Sequence, residues 1–271
     1  MTRLAVENLR ITFGGNIPAV DGVSFAIERG KVLAIVGESG SGKSMTSLAL
    51  MGLLPRGARM SATTMRLGDL DLTASSTRMT DIRGRRMAMI FQDPMTCLNP
   101  VYTIGNQLEE VYLEHNGGRR SAARERAIYL LDRVGVPMAR ERLRQYPHQM
   151  SGGLRQRVMI AMALMCEPEF LIADEPTTAL DVTTQIQVLD LLTELKDDLG
   201  LGLLLITHDL GVVARIAGEV CVMRRGVFVE TGGVADVFAN PQHAYTRQLL
   251  DAVPVLGQPK KRLLPDGALS S

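Results

Sequence analysis

An α/β core interrupted by a helical insertion is the fold class this sequence predicts, and three observations carry it. "KVLAIV", "EFLIAD" and "GLLLIT" are near-continuous apolar runs, the pattern of parallel strands covered on both faces. A Gly-rich turn, Gly37 to Ser44, joins the first of these runs to a segment with helical spacing. The stretch from about Asp93 to Met165 is richer in Arg and Gln and reads mainly as helices.

Taken in order, "RLAVENLRITF" and "VDGVSFAIERG" read as strands, with Gly14, Gly15 and Pro18 breaking the chain between them. "KVLAIV" is the next strand, and "KSMTSLALMGLL" comes after it as a helix. Beyond the insertion, "EFLIAD" and "GLLLIT" are buried strands separated by the periodic helix "TTQIQVLDLLTELKDDLG". "EVCVMRRGVFVETGG" reads as a hairpin turning at Arg225-Gly226, and a short tail starts at Asn240. The expected division is a core of residues 1–92 and 166–239, a helical unit 93–165 and a tail 240–271.

Composition removes several function classes. Apolar residues make up 46% of the 271, enough to bury a sizeable core. A formal net charge of +1 gives no general attraction to nucleic acid, so no nucleic-acid partner is expected. Cys97, Cys166 and Cys221 are scattered and outside any CxxC pair, which argues against a disulfide framework or a zinc site and fits a reducing cytosol. Clusters of iron and sulfur usually need four thiolates, so none is expected. The N-terminus alternates like a strand instead of carrying a signal peptide's apolar core. No apolar run approaches the ~18 residues of a membrane span. The expectation is a soluble chain that reaches a membrane only through a partner.

The chemistry begins at "GESGSGKS". It fits the phosphate-binding pattern G-x-x-x-x-G-K-[ST] and sits between a strand and a helix, the context that a bare match requires. The residues are Gly37, Glu38, Ser39, Gly40, Ser41, Gly42, Lys43 and Ser44. The glycines let backbone N–H groups point at phosphate oxygens, Lys43 adds charge for the outer phosphates, and Ser44 can hold Mg²⁺. A nucleoside triphosphate is the expected ligand. "FLIADEP" ends a strand in two carboxylates: Asp174 can hold Mg²⁺ through its water shell, and Glu175 can deprotonate the attacking water. His208 also ends a buried strand, and parallel strands bring such ends to one sheet edge. It would then contact the γ-phosphate or the water. His115, His148 and His243 lack that context and are assigned no chemistry.

"MSGGLRQR", residues 150–157, places a Ser and two glycines ahead of a basic and then apolar segment. Glycines weaken a helix interior, so this pair belongs at a helix start, where free N–H groups suit an anion.

With the phosphate loop, "MSGGLRQR", "FLIADEP", "TALD" and "THD" in this order, the chain resembles the ATP-binding subunit of an ABC transporter. The resemblance runs from Phe13 to the tail. It implies a P-loop α/β nucleotide-binding domain with an N-terminal antiparallel β subdomain and an inserted α-helical subdomain. Phe13 matches the aromatic that stacks on adenine. Gln92 matches the glutamine that touches Mg²⁺ and the attacking water. Thr178 to Asp181 match a segment that crosses the dimer interface, and "DPMTCLNP" would begin the part that docks on membrane subunits. In this family two ATPase domains meet head to tail. Ser151, Gly152 and Gly153 would therefore cap the γ-phosphate of ATP held by the partner's loop.

"RMAMIFQDPMTCLNP", "IADEPTTALDVT" and "ANPQHAYTRQLLDAVP" are similar to importers of dipeptides, oligopeptides and nickel. The resemblance implies two transmembrane permease subunits, an extracytoplasmic solute-binding protein and a place at the cytoplasmic face of the inner membrane. Nickel or metal-chelate uptake is the alternative cargo; a soluble ABC ATPase usually carries a long coiled-coil insertion or a second cassette, and a nucleoside kinase should not need "MSGGLRQR" or "TALD". The signature commonly reads Ser-Gly-Gly-Gln, and Leu154 stands at its fourth position. The lost hydrogen bond is worth ~0.5–1.5 kcal/mol, so weakening of roughly tenfold or less is expected. Leu154, with the family habit of two different ATPases, implies a heterodimer with a second ATP-binding subunit.

Overall fold

The computed structural model describes residues 2–14, 17–93, 97–178 and 180–252. In chain order the strands are β1 (Arg3–Phe13), β2 (Ile17–Glu28), β3 (Val32–Val36), β4 (Arg59–Ser61), β5 (Thr64–Leu67), β6 (Leu70–Asp71), β7 (Met87–Ile90), β8 (Phe170–Asp174), β9 (Gly202–Thr207), β10 (Glu219–Arg224) and β11 (Val227–Gly233). Among the described residues they form two sheets. The first is antiparallel, in the order β2-β1-β5-β6 with β4 also on β1. The second runs β11-β10-β3-β9-β8-β7, parallel throughout except for the β10–β11 hairpin at its edge.

β1 shows how one residue sets a face. Leu4 and Val6 are buried, and so are Leu9 and Ile11, which have the opposite parity. The pairing with β2 shifts between Val6 and Leu9, where Asn8 sits at φ 51. An extra residue there turns the strand by one position and keeps the apolar set inward. Pro18, which the sequence predicts to break the chain, lies instead within β2, opposite Thr12. β2 is an edge strand, the place in a sheet where proline is tolerated. β4 to β7 have no counterpart among the predicted elements, because strands of two to four residues are too short for alternation to show.

Among the described residues the α-helices are α1 (Lys43–Leu50), α2 (Ile104–Asn116), α3 (Arg120–Arg133), α4 (Ala139–Arg142), α5 (Gly152–Ala163), α6 (Val182–Leu199), α7 (Leu210–Ile216), α8 (Val234–Ala239) and α9 (Ala244–Asp251). α1 stops one turn before the expected end. Gly52, at φ 59, donates to Ala49 and the Leu53 N–H reaches Leu48, a glycine-centred stop that apolar periodicity does not reveal. α2, α3 and α5 pack on one another, and α5 also packs on β7.

The alternation of β3 divides the core. Leu33 and Ile35 face the antiparallel sheet and α1. Ala34 and Val36 face the opposite layer with Leu210, Val213, Val234, Val237 and Tyr245. A third cluster joins α2, α3, α5 and α6 to β7, β8 and β9. The parallel sheet is thus covered on both faces, as its apolar runs require.

Candidate nucleotide site

Strand register assembles the site. Val36 pairs with Thr207, Ile206 with Asp174, and Ala173 with Ile90. The C-terminal ends of β3, β9, β8 and β7 therefore lie side by side, and the segments leaving them meet at one sheet edge. Those segments carry Gly37 to Ser44, His208, Glu175 and Gln92.

The Gly-rich loop is shaped by its surroundings. A Cβ on Gly37 would stand 2.1 Å from the Met223 carbonyl oxygen, and one on Gly42 would stand 2.5 Å from that of Ala19. Neither oxygen belongs to a movable side chain. Gly42 takes φ 109 as it enters α1, which no side chain caps. Ala19 belongs to the same hairpin as Phe13, which pairs with Ile17 at its turn. The loop also meets the β10–β11 turn, where the Gly226 N–H donates to Ser41 O at 2.9 Å.

Lys43 is 4% exposed, and its Nζ donates to the carbonyl oxygens of Gly37 at 2.7 Å and Glu38 at 2.9 Å. Burial lowers its pKa, opposed by the charges of Glu175, Asp174 and Glu38. No carboxylate pairs with it directly among the described residues. The buried Ser41 Oγ has no hydrogen-bond partner among the described residues. A buried cation held only by carbonyls, beside a turn that leads into a helix, fits a polyanion such as a triphosphate.

Asp174 receives Ser44 Oγ at 3.1 Å and Ser47 Oγ at 3.4 Å. Burial raises its pKa, the Ser44 hydrogen bond works against this, and the neighbouring Glu175 charge adds to the rise. A hydroxyl and a carboxylate in contact are hard oxygen donors, the set that suits Mg²⁺.

Glu175 is the most constrained side chain here. Its φ is 47, outside the ordinary regions, and its N–H is tied to Ile206 O at 2.8 Å. Its Oε2 accepts from Gln92 Nε2 at 3.0 Å and Thr178 Oγ1 at 2.8 Å. Its Oε1 lies 3.4 Å from His208 Nδ1, and the His208 side chain is 63% exposed. Gln92, Glu175 and His208 thus meet, while Asp174 and Ser44 meet beside Lys43. Such a constellation can orient and deprotonate a water next to a bound phosphate.

Ser151, Gly152 and Gly153 stand apart from this group. Ser151 caps α5, its Oγ accepting the Leu154 N–H at 3.3 Å, and no hydrogen bond joins it to Gly37–Ser44 among the described residues. Leu154 is half-buried against the helical core. Asp181 caps α6 by accepting from Thr184 N and Oγ1. Ala179 of "TALD" and residues 94–96 of "DPMTCLNP" lie outside the described residues.

With the geometry in place, comparison with known proteins decides the family. The profile of the ABC transporter family matches residues 20–178. The chain belongs to the ABC transporter family. A second profile, "Oligopeptide/dipeptide transporter, C-terminal region", matches residues 229–268 of this ABC-family chain. It is 51% identical to the dipeptide transport ATP-binding protein DppD of Bacillus subtilis, over 97% of this chain and 80% of that protein. It is 49% identical to DppD of Escherichia coli K12, over 97% and 82%. The glutathione import ATP-binding protein GsiA of Escherichia coli is 52% identical over 95% of this chain, which spans only 43% of GsiA. Among solved structures, cbiO1 from Clostridium perfringens superposes with a TM-score of 0.75 at 28% identity, covering 88% of this chain and 90% of that one. The ATP-binding cassette MJ0796, bound to ADP and Pi, superposes at 0.70 and 28%, covering 85% and 98%. The α/β cassette fold expected from the motifs is therefore the fold of this ABC ATPase chain.

Two partners of the carboxylates escape sequence reasoning. The resemblance assigns Thr178 only to the dimer interface, yet its hydroxyl holds Glu175; the three-residue spacing, one turn, is the available signal. Ser47 lies one turn beyond Ser44 and shares Asp174 with it. Thr178→Ala is expected to slow ATP hydrolysis by up to about tenfold with ATP affinity unchanged, as one lost hydrogen bond allows. A steady-state assay and a binding isotherm on the same preparation check this; equal loss in both would place Thr178 in nucleotide binding instead.

Proposed function

We propose that this chain binds and hydrolyses ATP for an ABC importer of di- or oligopeptides. The observation that carries the ATPase reading is Glu175, fixed between Gln92, Thr178 and His208 one residue beyond the Asp174–Ser44 contact. The peptide cargo rests on the C-terminal-region profile and on the dipeptide transport relatives, which align along nearly the whole chain.

Each residue has a part. The backbone of Gly37, Glu38, Ser39, Gly40, Ser41 and Gly42 forms the cradle, with Lys43 at the outer phosphates and Phe13 against the adenine. Ser44, Asp174 and Gln92 are the residues proposed to hold Mg²⁺, which when bound draws charge from the phosphate oxygens. Because Oε2 of Glu175 is occupied by two donors, Oε1 is the oxygen that takes the water proton. The hydroxide so formed attacks the γ-phosphorus and ADP leaves; His208, beside Oε1, steadies the developing charge. Ser151, Gly152 and Gly153 complete a second site, on a partner ATPase subunit, in a heterodimer.

The proposed assembly adds two permease subunits and an extracytoplasmic solute-binding protein, with the chain peripheral at the cytoplasmic face of the inner membrane. None of the described helices is long and apolar enough to cross a membrane. The test is co-expression with the permeases and the second ATPase, followed by ATPase assays in vesicles. Peptide-loaded binding protein is expected to stimulate hydrolysis. Stimulation only by a nickel chelate would move the cargo to metal. Failure to copurify with any membrane subunit would overturn the transport reading.

A further inference from the structure

The last of the described helices, α9, reaches the nucleotide loop through Tyr245. Tyr245 is 2% exposed, its ring buried with Ala34, Val36, Val213, Val222 and Val237. Its hydroxyl emerges from that cluster and accepts the Glu38 N–H at 3.0 Å, across 207 positions of sequence. The Arg224 guanidinium lies over the ring, 4.8 Å from its centroid. Glu38, Ser39, Gly40, Ser41, Arg224, Arg225 and Tyr245 together line a small cavity of about 70 Å³.

The start of α9 is itself fixed to the sheet. Glu230 of β11 accepts the N–H of Gln242 at 2.7 Å and of His243 at 3.0 Å. His243 Nδ1 then accepts the Tyr245 N–H at 3.1 Å, capping the helix. A continuous path runs from β11 through the 242–243 turn to the phosphate loop. Such a path has a consequence for the loop. An unpaired Glu38 N–H would be free to turn, and with it the Gly37–Glu38 peptide, whose Gly37 carbonyl is one of the two holding Lys43.

We propose that Tyr245 is a positioning residue for the nucleotide loop, and that α9 thereby couples the C-terminal segment to ATP affinity. The inference rests on the reading of Gly37–Ser44 as the ATP site. Tyr245 holds the Gly37–Glu38 peptide in the orientation that directs the Gly37 carbonyl at Lys43 and leaves the rest of the loop aimed at phosphate. Reciprocity is required: whatever affinity the seated helix adds for ATP, bound ATP returns as added order in the helix.

Tyr245→Phe in the full chain tests this, because the ring stays in the core and only the hydroxyl is lost. ATP affinity by calorimetry is expected to fall about three- to tenfold, the range one hydrogen bond commands. The thermal midpoint of the nucleotide-free protein should stay within a few degrees, and ATP should protect amides of residues 244–251 from exchange in the natural chain but not in the variant. Glu230→Gln, which loosens the turn without touching the loop, should move affinity in the same direction by less. Unchanged ATP affinity in Tyr245→Phe overturns the proposal, as does a lower thermal midpoint with affinity and exchange protection intact. Lys43→Ala in parallel separates the two readings. If it weakens binding while Tyr245→Phe is silent, the ATP site stands and the positioning role falls. If it too is silent, the site itself is misplaced.

Discussion

Glu175→Gln is expected to retain ATP and to lose about 10²- to 10⁴-fold in hydrolysis, the contribution usual for a general base. The substitution keeps shape: an amide oxygen can still accept from Gln92 and Thr178, which now hold the carboxylate at 3.0 and 2.8 Å. What disappears is the basicity of the other oxygen, beside His208. Because the loop and Lys43 are untouched, ATP stays bound, and a long-lived ATP-bound dimer should accumulate. Size-exclusion chromatography with ATP shows the dimer, and phosphate release gives the rate. Steady-state turnover near that of the natural chain would sink the assignment.

Lys43→Ala is expected to weaken ATP binding by about 10- to 100-fold, the worth of a hydrogen bond to a charged group, and to take turnover with it. In the nucleotide-free protein the ammonium group is buried against the Gly37 and Glu38 carbonyls, and burial depresses its pKa. The folded state therefore releases this proton before the unfolded state does. Between the depressed pKa and the ordinary value of 10.5, this group makes the nucleotide-free fold more stable as pH rises. ATP binding has the opposite trend, because the charge that holds phosphate is lost over the same window. Calorimetry across the alkaline range, with Lys43→Ala as the flat reference, checks both signs. Affinity in the natural chain that stayed level through that window, or an unchanged affinity in Lys43→Ala, would remove Lys43 from the phosphates.

The two variants separate chemistry from binding because their residues sit on different strands. Lys43 comes after β3 and Glu175 after β8, with β9 between them. The same crowding explains why Asp174 carries a raised pKa: the cost of burying a carboxylate next to a second one is only partly offset by Ser44 and Ser47. A divalent cation at that pair would relieve it, so removing Mg²⁺ with a chelator should weaken ATP more in the natural chain than in Asp174→Asn.

Much of the site is legible in the sequence because it is local. "GESGSGKS" contains its own turn, its glycines and its lysine in eight consecutive residues, so composition and spacing suffice to pick out the turn proposed as the phosphate cradle. Ser151 as a helix cap and Asp174 and Glu175 at a strand end are readable for the same reason: each depends on neighbours a few residues away. The apolar runs of β3, β8 and β9 likewise announce strands covered on both faces, whatever their order in the sheet.

Tertiary structure alone decided the rest. The order β10-β3-β9-β8-β7 is a choice among packings that the same apolar strands would permit, and it places His208 and Gln92 on either side of Glu175. It also decided which oxygen of Glu175 is occupied, that Pro18 sits on an edge strand, and that Tyr245 meets Glu38. These contacts join residues as much as 207 positions apart, and their geometry is set by strand register and by the cores on each face of the sheet. A motif carries its own backbone conformation, whereas a partner brought from another strand exists only once the sheet has closed.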